Sequence, residues 1–332
     1  MITELDSYFD AVPRSGADPV DVGAFTLFIS HTPFHYYARP TLTQTKPIVE
    51  SDLVALEKAC AEHHVGMSIE WVHETHPELA GLTAAYGLEI RSHALLVAAA
   101  DDVTTQDVDG VILRVIGSDE SALEYGRAVA DVSFSFGGTD IGPGGPGERD
   151  AAVLHLDHAL IEHLRELDRR GMMVTAVAES TDGVIAVGSY QPVGDLAEIV
   201  AVATLPTARH RGLAGAITAL LTTHALDNGL RILLLSAQND EVARVYERVG
   251  FRRVGSTGAA ERLSTKFHPY GQGELRVTTF NKATKGHCKK NENHPDENVN
   301  RARRLCDPEI PRFEASGGAV WGSIHIPALS SE

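Results

Sequence analysis

The sequence of 332 residues is poor in the features that mark several classes of protein. Its three cysteines are too few for the disulfide framework of a small secreted domain. No run of 18 apolar residues occurs, so a membrane-spanning helix is not expected, and the acidic N-terminus lacks the apolar core of a secretory signal. These absences predict a soluble, cytoplasmic protein without a membrane partner.

Basic residues are also scarce, and they are unevenly spread. The chain has 29 Lys and Arg against 45 Asp and Glu, and its net charge of −16 makes nucleic acid a poor partner. Residues 1–265 hold 19 basic and 37 acidic residues, whereas residues 266–332 hold ten and eight. The latter segment is rich in Lys and Asn and shows no apolar period, so it is expected to be a poorly ordered polar extension. His155, His158 and Glu162 could share a helical face that would suit zinc, but they are interpreted as ordinary surface residues. The His and Cys residues at 287–306 match no zinc spacing, and no metal is expected.

From residue 111 onward, the apolar pattern switches between strand and helix periods. Asp182-Gly183 between two apolar runs predicts a hairpin, and Gly229 and Gly250 follow helical segments, as C-cap glycines do. The expected strands are 111–116, 173–179, 184–190, 197–204, 231–236 and 251–254, and the expected helices are 118–132, 155–170, 212–228 and 241–249. This order predicts an α/β fold whose mixed central sheet is flanked by helices.

The segment 204–215 carries the clearest chemical signal. A predicted strand ends there in a basic turn, and Gly212 opens the next helix. The first N–H groups of a helix lack partners and the helix dipole is positive at that end, so the turn can bind an anion. Glycine allows a phosphate to approach the backbone closely. The segment is neither a Walker A loop nor a dinucleotide fingerprint, because the residues that those motifs require are missing.

This turn and the residues after it resemble the GCN5-related N-acetyltransferase (GNAT) superfamily. The pyrophosphate signature of that family, Arg/Gln-x-x-Gly-x-Gly/Ala, stands here as Arg209-His210-Arg211-Gly212-Leu213-Ala214. Its second hallmark is an asparagine after the next strand, then a helical tyrosine and Gly-Phe. These stand here as Asn239, Tyr246 and Gly250-Phe251. The resemblance spans roughly residues 111–262, about half of the chain.

The resemblance implies acetyl-CoA as co-substrate and a role for each matched position. Tyr246 would protonate the departing thiolate of coenzyme A, and Glu198 would take a proton from the substrate amine. Asn239 would bind the pantetheine arm. The other cofactor contacts would be Val202, Ala203 and Thr204 on the strand and Arg209, His210, Arg211, Gly212, Leu213, Ala214 and Gly215 in the turn. The glycine-rich loop 137–147 is interpreted as a mobile lid of the acceptor site.

A shift of the chain by 163 residues places the first hundred residues on this unit, with Gly66 on Gly229 and Gly87 on Gly250. The residues with predicted chemical roles are not repeated, because Val49 aligns with Gly212 and Thr83 aligns with Tyr246. We therefore predict a duplicated fold. A truncated, non-catalytic GNAT-like lobe would span residues 1–105, the acetyltransferase domain 106–265 and the polar extension 266–332.

The leading hypothesis is an acetyl-CoA-dependent N-acetyltransferase that acts on a primary amine of a small molecule by direct attack in a ternary complex. The alternative is a non-catalytic acyl-CoA-binding sensor or regulatory module. A donor acyl group other than acetyl also remains open, as do the identity of the amine and the oligomeric state. The acidic body favours a cationic amine only weakly, because salt screens such attraction.

Overall fold

The computed structural model describes residues 1–99, 103–104 and 107–262, and the predicted extension 266–332 lies outside them. The helices are α1 (Ile2–Ala11), α2 (Glu50–Glu62), α3 (Leu79–Ala85), α4 (Ala122–Ser135), α5 (Pro146–Val153), α6 (His158–Arg169), α7 (Leu213–Asp227) and α8 (Asp240–Val249). The strands are β1 (Ala17–Val22), β2 (Phe25–Ser30), β3 (Ala38–Pro40), β4 (Ser68–Val72), β5 (Glu89–Ala98), β6 (Ile112–Ile116), β7 (Val174–Ser180), β8 (Gly183–Val193), β9 (Leu196–Thr204), β10 (Ile232–Ala237) and β11 (Arg252–Glu261). Within these ranges, no helix combines the length and the apolar character needed to cross a bilayer.

All eleven strands form one sheet in the order β1-β2-β3-β4-β11-β5-β10-β9-β8-β7-β6. The pairs β3–β4 and β9–β10 are parallel, and the other neighbours are antiparallel. This arrangement confirms the predicted α/β fold with a mixed sheet.

The centre of the sheet is an exchanged pair of strands. β5 pairs with β10 of the second half, and β11 pairs with β4 of the first half. The 163-residue shift superimposes β5 on β11 end for end, and α2 and α7 begin at equivalent residues. The central register joins His93 to Thr257 and Ala94 to Ser256, as a twofold relation between the two halves requires. The domain boundaries at 105/106 and 265/266 stay a prediction.

The helices divide between the two faces of the sheet. Alternate residues of a strand share a face, so Leu196, Glu198 and Val200 of β9 point the same way. Leu196 packs in the cluster that contains α1, and Val200 lines a pocket under α4 and α6. A Cβ built at Gly188 on the other face would lie 2.7 Å from Ile217 of α7. Helices α1, α4 and α6 therefore cover one face and α7 covers the other.

The structure adds three elements that the sequence analysis did not assign, α1, β1 and α5. The first half is therefore less truncated than expected, since it contains a helix and a strand before Phe25. α1 buries Leu5, Tyr8 and Phe9, which recur at helical spacing. α5 has a proline as its first residue, a position that favours helix initiation.

Candidate functional site

The turn between β9 and α7 presents an uncapped helix N-terminus. Gly212, the residue before α7, has φ of 81°, and no side chain caps the helix. His210 also has a positive φ, 62°, a conformation that a residue other than glycine rarely adopts. The N–H groups of the first turn, Leu213 to Gly215, are those that an α-helix leaves without internal partners. The turn therefore has the backbone geometry of an anion site.

The basic side chains of this turn point toward backbone carbonyls. The guanidinium of Arg209 donates to the carbonyl oxygens of Ser133 at 2.9 Å, Gly137 at 3.0 Å and Asp140 at 2.9 Å. Partial burial lowers the pKa of Arg209. Arg211 donates to the carbonyl oxygen of Asp109 at 3.3 Å. Arg209 thus supports the turn through the end of α4 and the loop after it.

The glycine-rich loop 137–147 packs against the same turn. The N–H of Thr207 donates to the carbonyl of Gly144 at 3.0 Å, and the N–H of Gly142 donates to that of Pro206 at 3.3 Å. A Cβ at Gly144 would lie 2.6 Å from the ring of Phe136, so the close approach requires glycine here. The interpretation as a lid gains no support from these contacts, because they tie the loop to the turn.

β9 separates from β10 beside the turn. The two strands pair only over Leu196–Glu198, and in the described part of the chain the later pairs of β9, at 199–200 and 203–204, are with β8 alone. The register shifts where β9 has one residue more than β8 between the pairs Ser189–Val200 and Val187–Ala203, and Ala201 in this bulge has φ of 54°. Of the predicted cofactor contacts, Val202 thus lies in a bulge on the open edge of β9, and Ala203 and Thr204 follow it.

α8 carries the next two predicted residues. Asn239 caps this helix, and its Oδ1 accepts the N–H of Val242 at 3.0 Å. Tyr246 is only 5% exposed, and its ring centroid lies 6.3 Å from that of Phe251. Burial raises the pKa of Tyr246 well above its ordinary value, so its hydroxyl remains protonated at neutral pH.

Glu198 is completely buried at the point where β9 and β10 part. It faces Gln191 across β8 and β9. Its backbone N–H donates to the hydroxyl of Tyr8 at 3.0 Å, and that hydroxyl donates to the carbonyl of Gln191 at 2.7 Å. Burial, together with the charge of Glu198, raises the pKa of Tyr8. The carboxylate and this phenol therefore lie close together at the base of the open edge.

A pocket with about 580 Å³ of space, part of it open to solvent, adjoins the bulge on the face covered by α4 and α6. Its wall includes Val200 and Ala201 of β9 and Gln191 of β8. Arg127 of α4 also lines it and forms an ion pair of 2.6 Å with Asp131.

The structure thus places the turn 209–215 at the end of the open edge of β9 and Glu198 at the base of that edge. The roles of these residues, of Tyr246 and of Asn239 stay predictions. The sequence analysis missed Tyr8 and Gln191. The helical spacing of Leu5, Tyr8 and Phe9 could have revealed α1. No sequence signal indicates that Tyr8 contacts β8 and β9, which are distant in the chain.

The comparison with known proteins concerns the same part of the chain, which contains β9, the turn and α7. A family model for the acetyltransferase (GNAT) family matches residues 147–251. A GCN5-related N-acetyltransferase from Kribbella flavida superposes with a TM-score of 0.60 at 18% identity, over 80% of this chain and 96% of that one. A conserved protein of unknown function from Staphylococcus epidermidis superposes with a TM-score of 0.51 at 15% identity, over 74% and 95%. No curated protein matches the chain. At such identities the likeness concerns the fold.

Proposed function

The chain belongs to the acetyltransferase (GNAT) family through residues 147–251, and we propose that it is an acetyl-CoA-dependent N-acetyltransferase. It would acetylate the primary amine of a small molecule by direct attack, with both substrates bound at once. Family membership supports an acyltransferase. The acetyl donor, the direct route and the small amine are the finer parts of the proposal.

The observation that carries the proposal is the junction of an uncapped helix N-terminus with an open strand edge. The N–H groups at the start of α7 suit a pyrophosphate, and the edge of Val202–Thr204 suits an extended pantetheine arm, which would pair as a further strand. Thr204 supports this fit, because its Oγ1 is buried and has no hydrogen-bond partner among the described residues. When bound there, acetyl-CoA supplies an activated thioester.

The proposed proton transfers use two buried groups. Tyr246 stays neutral because it is buried, so it can donate its proton to a thiolate leaving group. Glu198 faces Gln191, a residue of the pocket wall, and is the candidate base for the amine, directly or through water. Asn239 would contact the pantetheine arm through its side-chain amide. A backbone N–H at the bulge of β9 would polarise the thioester carbonyl.

We further propose that only the second half performs chemistry. Residues 1–105 would be a GNAT-like lobe without catalysis, residues 106–265 the transferase, and residues 266–332 an extension. The match of α2, β4 and β5 with α7, β10 and β11 after the 163-residue shift supports a common origin. The substitution of Gly212 by Val49 and of Tyr246 by Thr83 at equivalent positions supports the loss of catalysis.

The test is titration calorimetry of the full chain with acetyl-CoA, followed by thiol release from acetyl-CoA with a panel of small amines. We expect binding and amine-dependent thiol release. Tyr246→Phe should lower kcat about 100-fold and leave the Kd of acetyl-CoA unchanged. Absence of acetyl-CoA binding would overturn the proposal. Binding without thiol release from any amine would favour the non-catalytic sensor instead.

A further inference from the structure

A tyrosine of the first helix bridges the two strands at the base of the open edge. Tyr8 is 3% exposed, and its hydroxyl connects the carbonyl of Gln191 with the N–H of Glu198. Glu198 is also the last residue of β9 that pairs with β10. The hydroxyl therefore ties β8 to β9 at the residue where β9 separates from β10, from a position more than 180 residues away in sequence.

Gln191 presents an unused hydrogen-bond acceptor to the pocket. Its side chain lines the pocket and is 4% exposed, and its Oε1 has no hydrogen-bond partner within the described residues. A buried amide oxygen without a partner has lost its hydrogen bonds to water and gained none in return, which destabilises the unliganded pocket. A ligand that brings an N–H group into the pocket would supply the missing hydrogen bond, and an amine is such a ligand.

Three other polar side chains of the pocket wall, Thr175, Ser189 and Arg127, each have a polar partner. The hydroxyls of Thr175 and Ser189 lie 2.8 Å apart, and the charge of Arg127 is offset by Asp131. The remaining wall is mostly apolar and includes Leu123, Leu164, Met173, Val187 and Val200. An apolar wall stabilises an aliphatic or aromatic group and disfavours a second charge on the ligand.

We propose that this pocket binds the acceptor amine, that Oε1 of Gln191 accepts a hydrogen bond from its nitrogen, and that Tyr8 is a positioning residue. The substrate class is a primary amine on a small apolar group, and polyamines are poor substrates. The bulge residue Ala201 in the pocket wall places the amine beside the strand that would hold the thioester. This inference rests on the proposed function.

The experiment measures thiol release by the full chain at saturating acetyl-CoA, with phenethylamine and spermidine as the two probes. We expect kcat/KM to be at least about tenfold higher for phenethylamine. Gln191→Leu keeps the size of the side chain and removes the acceptor. It should raise the KM of phenethylamine about tenfold, with the Kd of acetyl-CoA unchanged.

Tyr8→Phe should lower kcat about fivefold, since it removes one hydroxyl from the strand junction and leaves its packing in place. Tyr86→Phe is the matched control, because it removes a hydroxyl that donates to Glu57 at 2.6 Å in the same half of the chain. It should leave kcat and KM unchanged. Thermal unfolding of each variant measures any loss of folding.

The outcomes separate the two levels of the proposal. If the wild-type chain binds no acetyl-CoA or acetylates no amine, the proposed function is wrong. An active chain that prefers spermidine, or whose Gln191→Leu variant keeps its KM, would overturn the acceptor pocket. Equal kcat in folded Tyr8→Phe and Tyr86→Phe would overturn the positioning role. If Tyr8→Phe does not fold, the KM of Gln191→Leu still decides the assignment of the pocket.

Discussion

The helices α2 and α7 begin at equivalent positions of the two halves, yet their N-termini have opposite electrostatics. Before α7 stands Gly212 in a left-handed conformation, and neither a cap nor an acidic residue occupies the first turn. Before α2 stands Val49 in an extended conformation, and its N–H donates to Asp52 at 2.9 Å. Glu50 adds a second carboxylate there. One helix start is thus open to an anion, and the other is filled by its own side chain.

The neighbouring strands show the same contrast. Where β9 has Val202 at the open edge, β3 has Arg39, which is 2% exposed and forms an ion pair of 2.7 Å with Asp6. Where β10 has the buried Leu233, β4 has Glu70. A charged side chain, that of Arg39, therefore occupies the position of the first half that corresponds to the open edge of β9. A few side chains at a helix start and a strand edge thus distinguish the candidate anion site from its counterpart in the first half.

The largest effect is expected when Gly212 is replaced by valine, the residue at the equivalent position 49 of the first half. Gly212→Val introduces a β-branched residue at positive φ and places a side chain where a phosphate would approach. We expect the Kd of acetyl-CoA to rise about 100-fold in titration calorimetry, because the helix N-terminus is then closed to the pyrophosphate.

Gly229→Val is the control for backbone strain. Gly229 follows the other end of α7 with φ of 87°, and a Cβ there meets no atom within 4 Å. Both variants should lose about 1–2 kcal/mol of unfolding free energy, and only Gly212→Val should lose affinity. Equal affinities in the two variants would contradict the assignment of the turn to acetyl-CoA.

A smaller effect is expected from charge alone. Ala214→Asp adds a carboxylate to the first turn of α7, as in α2, and Ala214→Asn adds the neutral side chain of the same shape. We expect the Kd of acetyl-CoA to be about tenfold higher for the aspartate than for the asparagine, because like charges repel and a carboxylate occupies the positive end of the dipole. The ratio should shrink at high salt. A ratio of one at low salt would exclude this helix start as the phosphate site.

The reverse change in α2 should affect stability only. Asp52→Ala removes the carboxylate that accepts the N–H of Val49, and we expect a loss of about 1 kcal/mol in urea unfolding. Glu62→Ala at the other end of the helix removes only an exposed ion pair with Lys58 at 3.6 Å, and it should change stability less. Neither variant should change the Kd of acetyl-CoA. A changed Kd would give the first half a role in binding.

Much of the second half could be predicted from its sequence because local signals determine it. The Asp182-Gly183 turn joins β7 to β8, and Gly229 and Gly250 end α7 and α8 at positive φ, as expected. The exchange of β5 and β11 could not be predicted. Periodicity identifies a strand and its buried face, whereas the partner of a strand depends on the global topology.

The site was predictable in part for the same reason. The turn 209–215 is contiguous in sequence, so a short motif reveals it. The bulge at Ala201 has no signal in the sequence, because an inserted residue in an apolar strand cannot be distinguished from an ordinary strand residue. Tyr8 and Gln191 meet only in the folded chain. Local patterns therefore identify the candidate anion site, whereas contacts between distant segments shape the proposed acceptor pocket.

The smallest effect concerns Glu70, which replaces Leu233 in the first half. Burial raises its pKa from 4.5 to about 7, the charge of Arg39 opposes this shift, and the charge of Glu261 adds to it. The folded state therefore binds this proton more tightly than the unfolded state. The resulting stability is fully present below about pH 4.5 and is lost as the pH rises through about 7.

Glu70→Gln removes this titration and keeps the size of the side chain. Its unfolding free energy should change less than that of the wild type between pH 5 and pH 8, and we expect the difference to be below about 1 kcal/mol because the side chain is only partly buried. Urea unfolding of both proteins at the two pH values measures it, and the comparison cancels the groups that they share. Identical pH dependence in the two proteins would mean that Glu70 ionises normally, and the first half would then carry an ordinary surface carboxylate at the position of Leu233.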